Sequence, residues 1–305
     1  MRAKLSLGPA LFNWGAAYIR DFYFRIAEEA PVDTVYLGEV VCVKRLASPQ
    51  SPDLEVVAQR LEAAGKEVIL STPALVMGEP ELEVVREAAA GARLVEANDV
   101  SCVGLLAGRP HAIGPFVNVY NEGTLAFLTG LGAVRVALPA ELSAAALAAL
   151  ARTAEVELEV QVFGRLPLAV SSRCFHARAR GLRKDNCRFV CAEDAEGFVV
   201  ESLDGESLFV VNGTQTLSYT FANLLGGLTS LQASGIKRFR LWPHAVDMAA
   251  VVTVFREVLD GRLEEGAGVA RLRELVGGVP FADGFFHGKE GRRFLACDTG
   301  GRPAP

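Results

Sequence analysis

Three of the six cysteines lie in one polar stretch of the chain, SSRCFHARARGLRKDNCRFVC (residues 171–191). Cys174, Cys187 and Cys191 follow the spacing C-x12-C-x3-C, among six basic residues and a single acid, Asp185. A lone buried cysteine usually behaves as a small apolar residue, but arginine, lysine and aspartate do not normally line a dry core. Thiols that stay reduced bind metals or carry out redox chemistry rather than form disulfides. The stretch is therefore predicted to be a metal-binding loop.

Three thiols are one fewer than a closed tetrahedral set needs. Cys42 (GEVVCVKR) follows an apolar run that is typical of a strand, and Cys102 (SCVGLL) follows another. In a parallel barrel the loops after the strands gather on one face, where sites are built. We expect Cys42 as the fourth ligand and Cys102 as the next candidate. Cys102 and Cys297 (FLACD) also fit the simpler interpretation of buried apolar cysteines.

Four thiolates suit either zinc or an iron–sulfur cluster. Zinc sites usually combine two short C-x2–4-C pairs, whereas this chain has one short pair and remote single cysteines, which favours a larger cluster. Charge favours the cluster too, because four thiolates on an oxidised [4Fe–4S] core carry a net charge of about −2. The arginines of the loop, with Lys44 and Arg45 beside Cys42, would offset that charge. On spacing and charge alone, zinc stays open as the alternative.

The elements that must position these cysteines alternate along the chain. Strand-like runs are predicted at 4–7, 34–38, 67–70, 93–96, 112–117, 134–138, 157–162 and 237–241. Helical patterns are predicted between most of them, at 17–29, 54–64, 82–89, 124–131 and 143–153, the last with Ser143 as its N-cap. This rhythm predicts an α/β fold, and eight strands predict a TIM-like (β/α) barrel. A doubly wound open sheet is the rival, although no G-x-G-x-x-G opens the first helix.

The rhythm breaks after the seventh predicted strand, so the barrel is expected to be irregular there. The cysteine-rich loop 171–191 comes first, and an alternating pattern around Asp204-Gly205 then predicts a β-hairpin over 198–213. A helix is predicted over 219–232 before the last strand, and another over 249–259. The glycine-rich segment 266–305 is a C-terminal extension to which no structure is assigned. The chain is interpreted as one barrel domain over 1–305.

Bulk composition excludes several classes of protein. Half of the residues are hydrophobic and 22% are charged, which supports a large core and excludes disorder. The net charge of −5 gives no general attraction to nucleic acid. No run approaches the 18 apolar residues of a transmembrane span, and the N-terminus MRAKLSLGPALFNWG lacks a signal-peptide pattern. We therefore predict a cytoplasmic protein that does not bind nucleic acid.

A resemblance to a known family is carried by four segments: VYLGEVVCVKR (35–45), YNEGTLAFLTGLGAVRVALPAELS (120–143), FGRLPLAVSSRCFHARARGLRKDNC (163–187) and LWPH (241–244). They closely resemble the collagenase-like peptidase family over most of the chain, least in its C-terminal part. The resemblance implies that Cys42, Cys174, Cys187 and Cys191 hold a [4Fe–4S] cluster. It also implies a heterodimer with a UbiU-like partner that supports oxygen-independent ring hydroxylation in anaerobic ubiquinone biosynthesis.

The resemblance further implies a ubiquinone precursor as substrate, delivered by a lipid-carrying accessory protein, and an oxygen donor other than dioxygen, such as prephenate. Arg173 and Arg178 are candidates for binding its carboxylates, or else they only neutralise the cluster. Two further functions stay open: a zinc-stabilised barrel that acts as a scaffold or assembly factor, and a true peptidase or hydrolase. The hydrolase has little support, since the sequence shows no H-E-x-x-H and no specific nucleophile–base signature.

Three other features could take part in chemistry. Glu39, three residues before Cys42, is a candidate general base or an ion-pair partner of Lys44 or Arg45. His176 is a candidate proton shuttle or alternative ligand, or a histidine that only supports the ligands. RFRLWPH (238–244) alternates basic and apolar residues, which is typical of a half-buried strand or of one bordering a pocket or partner surface.

Overall fold

The computed structural model describes residues 2–48 and 53–295. Within them eight parallel strands close a barrel, because the last of these strands pairs with the first on one side and with the seventh on the other. The barrel strands are β1 (Lys4–Leu7), β2 (Thr34–Leu37), β3 (Glu67–Ser71), β4 (Val95–Ala97), β5 (His111–Ile113), β6 (Ala133–Leu138), β7 (Glu157–Val170) and β11 (Arg238–Leu241). The prediction of a TIM-like α/β barrel is confirmed.

Most helices cover the outside of the barrel and connect its strands. The helices are α1 (Ala16–Glu29), α2 (Leu54–Ala63), α3 (Glu79–Ala90), α4 (Val100–Leu106), α5 (Glu122–Gly130), α6 (Ala144–Thr153), α7 (Phe175–Ala179), α8 (Leu228–Ala233), α9 (Met248–Leu259) and α10 (Glu265–Leu275). Of these, α7 belongs to the segment between β7 and β11, whereas α9 and α10 follow the last barrel strand. Ser143 caps α6 as predicted, since its side chain accepts a hydrogen bond from the Ala146 N–H. Helix α1 buries Ile19, Tyr23 and Ile26, whose spacing forms one apolar stripe toward the barrel.

The inside of the barrel is ionic rather than aliphatic. Arg240 on β11 donates from Nη2 to Glu96 Oε1 at 2.5 Å and to Glu159 Oε2 at 2.8 Å, and its guanidinium lies 4.0 Å from the Tyr36 ring. Arg238, two residues earlier, lies 2.9 Å from Glu157. All four β11 residues are buried, so the expectation of a half-buried strand at 238–241 is wrong. The alternation there separates the ionic barrel interior from the apolar layer under the helices.

The excursion after the seventh barrel strand is a sheet as well as a loop. Strand β7 is 14 residues long, and its second half leaves the barrel to pair antiparallel with β10 (Gln215–Asn223). Strands β8 (Phe198–Glu201) and β9 (Ser207–Asn212) form the predicted antiparallel hairpin. The helix predicted over 219–232 is wrong in its first part, since Tyr219 to Asn223 end β10 and α8 begins only at Leu228.

The C-terminal extension contributes helix α10 and a two-residue strand, β12 (Phe281–Ala282), which pairs parallel with β10. Cys297 and the rest of 296–305 lie outside the described residues. Helices α9 and α10 pack against the barrel through buried residues such as Phe255 and Leu272.

Candidate metal centre

Cys42 is held by a tight turn at the carboxyl end of β2. Gly38 has φ +147°, and a Cβ there would lie 2.1 Å from the Ser71 carbonyl oxygen, so only glycine fits. The Glu39 carboxylate then accepts hydrogen bonds from the N–H groups of Val41 (2.8 Å) and Cys42 (2.9 Å). Glu39 therefore positions the backbone of Cys42. A role for it as a general base stays a prediction.

The other three cysteines come from the excursion. Cys174 is buried at the start of α7, where its Sγ accepts the Ala177 N–H at 3.3 Å. Cys187 is half-buried and Cys191 buried, and the chain between them reverses through Arg188 (φ +51°) and Phe189 (φ +55°). Left-handed conformations at non-glycine residues are uncommon and concentrate at functional sites. The reversal keeps the last two cysteines on one short turn.

Arg45 connects the Cys42 turn to the excursion. Its guanidinium is buried and donates to the Leu11 carbonyl (3.0 Å) and to Asn212 Oδ1 (2.8 Å). Burial on its own would lower the pKa of Arg45, but the negative charges of Glu39, Cys191 and Cys42 raise it above its ordinary value. A buried cation thus lies within electrostatic reach of thiols from both segments.

The other thiols are also buried or half-buried, and those of the loop influence one another electrostatically. Burial raises the pKa of the Cys174 thiol, and the nearby Cys191 and Cys187 raise it further. Burial also raises the pKa of Cys42, which Arg45 opposes. The structure therefore brings all four predicted ligands to the same end of the barrel. Across the parts of the chain that the structure describes, no three His, Cys, Asp or Glu side chains are close enough together to hold one metal ion.

Polar contacts that sequence reasoning missed hold these segments together. Asn13, in the loop after β1, donates from Nδ2 to Cys191 Sγ at 3.2 Å. Asn212 Nδ2 donates to the carbonyls of Cys191 (2.9 Å) and Asp194 (3.0 Å), and Lys44 Nζ donates to the Lys184 carbonyl at 2.6 Å. The only available signal for Asn13 was its place after a barrel strand, on the face where sites are built.

His176 and the arginines lie at the edge of this centre. His176 is buried, with Nε2 2.9 Å from Asp194 Oδ2, and burial lowers its pKa despite that carboxylate. Arg180 lies 3.0 Å from the same carboxylate. Arg173 and Arg178 are exposed, and neither lies within ion-pair distance of any described carboxylate. Both therefore present free cations to solvent near the thiols.

Cys102 lies apart from this set. It is fully buried in α4, where burial raises its pKa to about 11 and the Thr72 side chain partly opposes that shift. Its surroundings are those of a core residue.

The donor set fits an iron–sulfur cluster in its chemistry. The four thiols lie at one end of the barrel, two sulfurs accept N–H hydrogen bonds from Asn13 and Ala177, and Arg45 supplies a buried positive charge. Hydrogen bonds to the sulfurs and local charge are what set the potential of such a cluster. A four-iron cluster also spans a wider gap than a single ion does.

The fold and this site define a (β/α) barrel with a cysteine-lined mouth. The sequence pattern of peptidase family U32 matches residues 23–294, so the chain belongs to that family. None of the helices in residues 2–48 and 53–295 has the length and apolar character to cross a membrane.

The solved structures compared with this chain resemble it only distantly. Dihydropteroate synthase from Thermus thermophilus is 16% identical, with a TM-score of 0.43 over 85% of this chain and 93% of that one. A truncated 3-deoxy-D-arabino-heptulosonate 7-phosphate synthase from Thermotoga maritima is 11% identical, with a TM-score of 0.44 over 91% and 89%. Tryptophan synthase from M. tuberculosis is 12% identical, with a TM-score of 0.40 over 92% and 93%.

Proposed function

We propose that the chain is the [4Fe–4S]-binding subunit of a UbiU–UbiV-type heterodimer, in the position of UbiV. It would take part in oxygen-independent hydroxylation of an aromatic ring during anaerobic ubiquinone biosynthesis, and be inactive without its partner. The ligands would be Cys42, Cys174, Cys187 and Cys191. When bound, the cluster supplies a one-electron redox centre.

One observation carries this proposal: thiols far apart in sequence, those of Cys42 and Cys191, lie around the same buried arginine. An unpaired buried cation is costly, so the burial of the Arg45 guanidinium indicates that negative charge faces it. Glu39, 3.5 Å away, is the nearest carboxylate and the first of the negative charges that raise the pKa of Arg45, followed by Cys191 and Cys42. Deprotonated thiolates of Cys42 and Cys191 would supply the charge, and metal binding is what keeps thiols deprotonated.

A zinc-stabilised scaffold is the second candidate. A closed zinc site needs four thiolates, each about 2.3 Å from one ion. Such a site would require these thiols to move closer together than they lie among the described residues. A larger cluster requires less rearrangement, which is why we favour it.

The family name raises the possibility of peptidase activity. All four histidines of the chain are described, and their side chains contact backbone groups or carboxylates. In residues 2–48 and 53–295 no histidine ring forms a hydrogen bond to a serine or cysteine side chain, which hydrolysis by a catalytic dyad requires. The hydrolase stays the weakest of the three functions.

The exposed arginines supply the second part of the proposed chemistry. Arg173 and Arg178 lack carboxylate partners, and a guanidinium binds a carboxylate through two parallel hydrogen bonds. They would hold a carboxylated oxygen donor such as prephenate near the centre.

Co-expression with a UbiU-like protein under anaerobic conditions tests the proposal. We expect a brown complex with about four irons per chain and hydroxylation of a ubiquinone precursor without dioxygen. A colourless protein holding one zinc would overturn the cluster assignment and support the scaffold. Cleavage of peptides by the isolated chain, lost on one substitution, would support the hydrolase.

A further inference from the structure

A second feature of the barrel mouth is a cavity of about 290 Å³ that the proposed cluster does not use. It lies at the carboxyl ends of β5, β6 and β7, and we call it the mouth cavity. The residues that matter for its chemistry are Phe116, Asn118, Tyr120, Glu141, Gln161 and Leu168. Ligand sites of (β/α) barrels are built at this end of the strands.

The mouth cavity shares its wall with the segments that carry the thiols. Ala74 lines it, and the Ala74 N–H donates to the Val40 carbonyl at 2.9 Å, two residues before Cys42. Val170 lines it from the end of β7, four residues before Cys174. A molecule bound there would lie at the same end of the barrel as the proposed cluster ligands.

The charges of the lining decide which molecules fit. Glu141 contributes a carboxylate, and the described lining contains no lysine or arginine. An anion placed there would lose water and meet a like charge without compensation. The cavity therefore suits a neutral ligand, in contrast to the free arginines of the cysteine loop.

Gln161 supplies a directed hydrogen-bond acceptor. Its side chain is buried on β7, and Nε2 donates to the carbonyls of Gly164 (3.3 Å) and Arg165 (3.2 Å). These two contacts fix which end of the amide is the nitrogen, because a carbonyl accepts only from a donor. Gln161 lines the mouth cavity, and no described group donates to its Oε1, which is therefore free to accept a hydrogen bond.

Phe116 supplies an aromatic wall that is held in place. Its ring packs edge-on against the buried Trp242, with centroids 6.4 Å apart. Asn118, at the end of the same turn, has φ +61°, and such conformations at non-glycine residues concentrate at ligand sites. A planar ring can pack on Phe116 without displacing it.

We propose that the mouth cavity binds the ring substrate as a neutral phenol, with the phenol hydroxyl donating to Gln161 Oε1 and the ring packing against Phe116. This proposal rests on the proposed function, because it assigns the ring-binding site of that hydroxylase. The anionic oxygen donor is thereby excluded from the cavity and directed to the arginines.

Calorimetric titration of the anaerobically purified complex with three probes tests the proposal. The probes are 2-allylphenol, its methyl ether, which lacks the hydroxyl donor, and 4-hydroxybenzoate, which adds a carboxylate. We expect 2-allylphenol to bind at least about tenfold more tightly than the ether, since a buried acceptor left unpaired costs about that factor. We expect 4-hydroxybenzoate to bind more weakly than 2-allylphenol.

Two variants locate the site. Gln161→Leu should bind the phenol and the ether equally, whereas the control Gln59→Leu, on the exposed face of α2, should keep the tenfold preference. Ala169→Phe leaves Gln161 intact and fills the cavity from an exposed strand position, so it should abolish binding of the phenol.

Iron content, measured on every sample, separates this inference from the proposed function. Equal binding of phenol and ether by the unmodified complex, or no effect of Ala169→Phe, overturns the mouth-cavity assignment even when iron is present. Selective phenol binding by a protein that holds no iron keeps the assignment of the cavity and overturns the proposed cluster.

Discussion

Arg45 shows how a single side chain can combine distant parts of the sequence into one site. Its guanidinium reaches Leu11 after β1, Asn212 at the end of β9 and the thiols of two loops. Burying an arginine is costly unless each donor and the charge are met. The residue therefore favours the arrangement in which the cysteines converge.

Replacing Cys42 by alanine removes one of the four proposed ligands. We expect Cys42→Ala to lose most of its iron after anaerobic purification, and Cys102→Ala to keep it, because Cys102 lies in the core of α4. Iron quantitation and the visible spectrum check both. Retention by Cys42→Ala together with loss by Cys102→Ala would contradict the ligand assignment.

Asn13 would tune the proposed cluster without binding it directly. Its Nδ2–H to Cys191 Sγ contact would stabilise the more negative, reduced cluster. Asn13→Leu should therefore shift the reduction potential to a more negative value while iron content stays near that of the unmodified chain. Redox titration followed by electron paramagnetic resonance measures the shift. An unchanged potential would show that this hydrogen bond has no electrostatic role.

At the scale of secondary-structure elements, the turn between β9 and β10 packs against Arg45. Gly213 has φ +69°, and a Cβ there would lie 2.8 Å from Arg45 Nη2. Gly205, at the hairpin tip, has φ +84°, but a Cβ there would meet no atom within 4 Å. Both positions penalise a side chain by about 1–2 kcal/mol through the left-handed backbone, but only Gly213 touches the centre.

We therefore expect both Gly205→Ala and Gly213→Ala to destabilise the protein, Gly213→Ala by more because its Cβ also displaces the buried Arg45, and only Gly213→Ala to reduce iron retention. Chemical unfolding and iron quantitation on the two variants separate the effects. Equal iron contents would mean that the turn does not support the position of Arg45.

The strand-and-helix rhythm was predictable because parallel strands are buried as continuous apolar runs and helices show a longer period. The placement of Cys42 at the same end of the barrel as the loop cysteines followed from barrel geometry, whereas their role as ligands stays a prediction. The ionic barrel interior could not be predicted in this way. A charged residue such as Glu159 is expected at the surface unless its partner across the barrel is known. Residues 219–223 were assigned to a helix, although Tyr219, Thr220 and Phe221 favour a strand.

At the scale of the whole molecule, the ion pairs inside the barrel make the stability of the fold depend on pH. Burial would raise the pKa of Glu159, but the charge and hydrogen bond of Arg240 lower it to about 2. Its ordinary value when unfolded is 4.5. A lowered folded-state pKa means that Glu159 stabilises the fold fully above pH 4.5, and that this stabilisation is lost as the pH falls toward 2.

Glu159→Gln leaves Arg240 short of a charge partner and should lower the free energy of unfolding at pH 7 by about 3–5 kcal/mol. It should also flatten the loss of stability between pH 4.5 and 2. Glu55→Gln is the matched control: the pKa of Glu55 is also about 2, through Arg93, but the pair is exposed and screened by water. Urea unfolding at several pH values should show a small effect there.

Strand β7 joins the barrel to the strands of the excursion, since its first half pairs with β6 and β11 and its second half with β10. The cysteine loop begins directly beyond its last residue. The cysteine loop alone could therefore not be transferred to another barrel with the arrangement of its cysteines intact. Grafting would have to carry the extended strand, β10 and the arginine after β2 together.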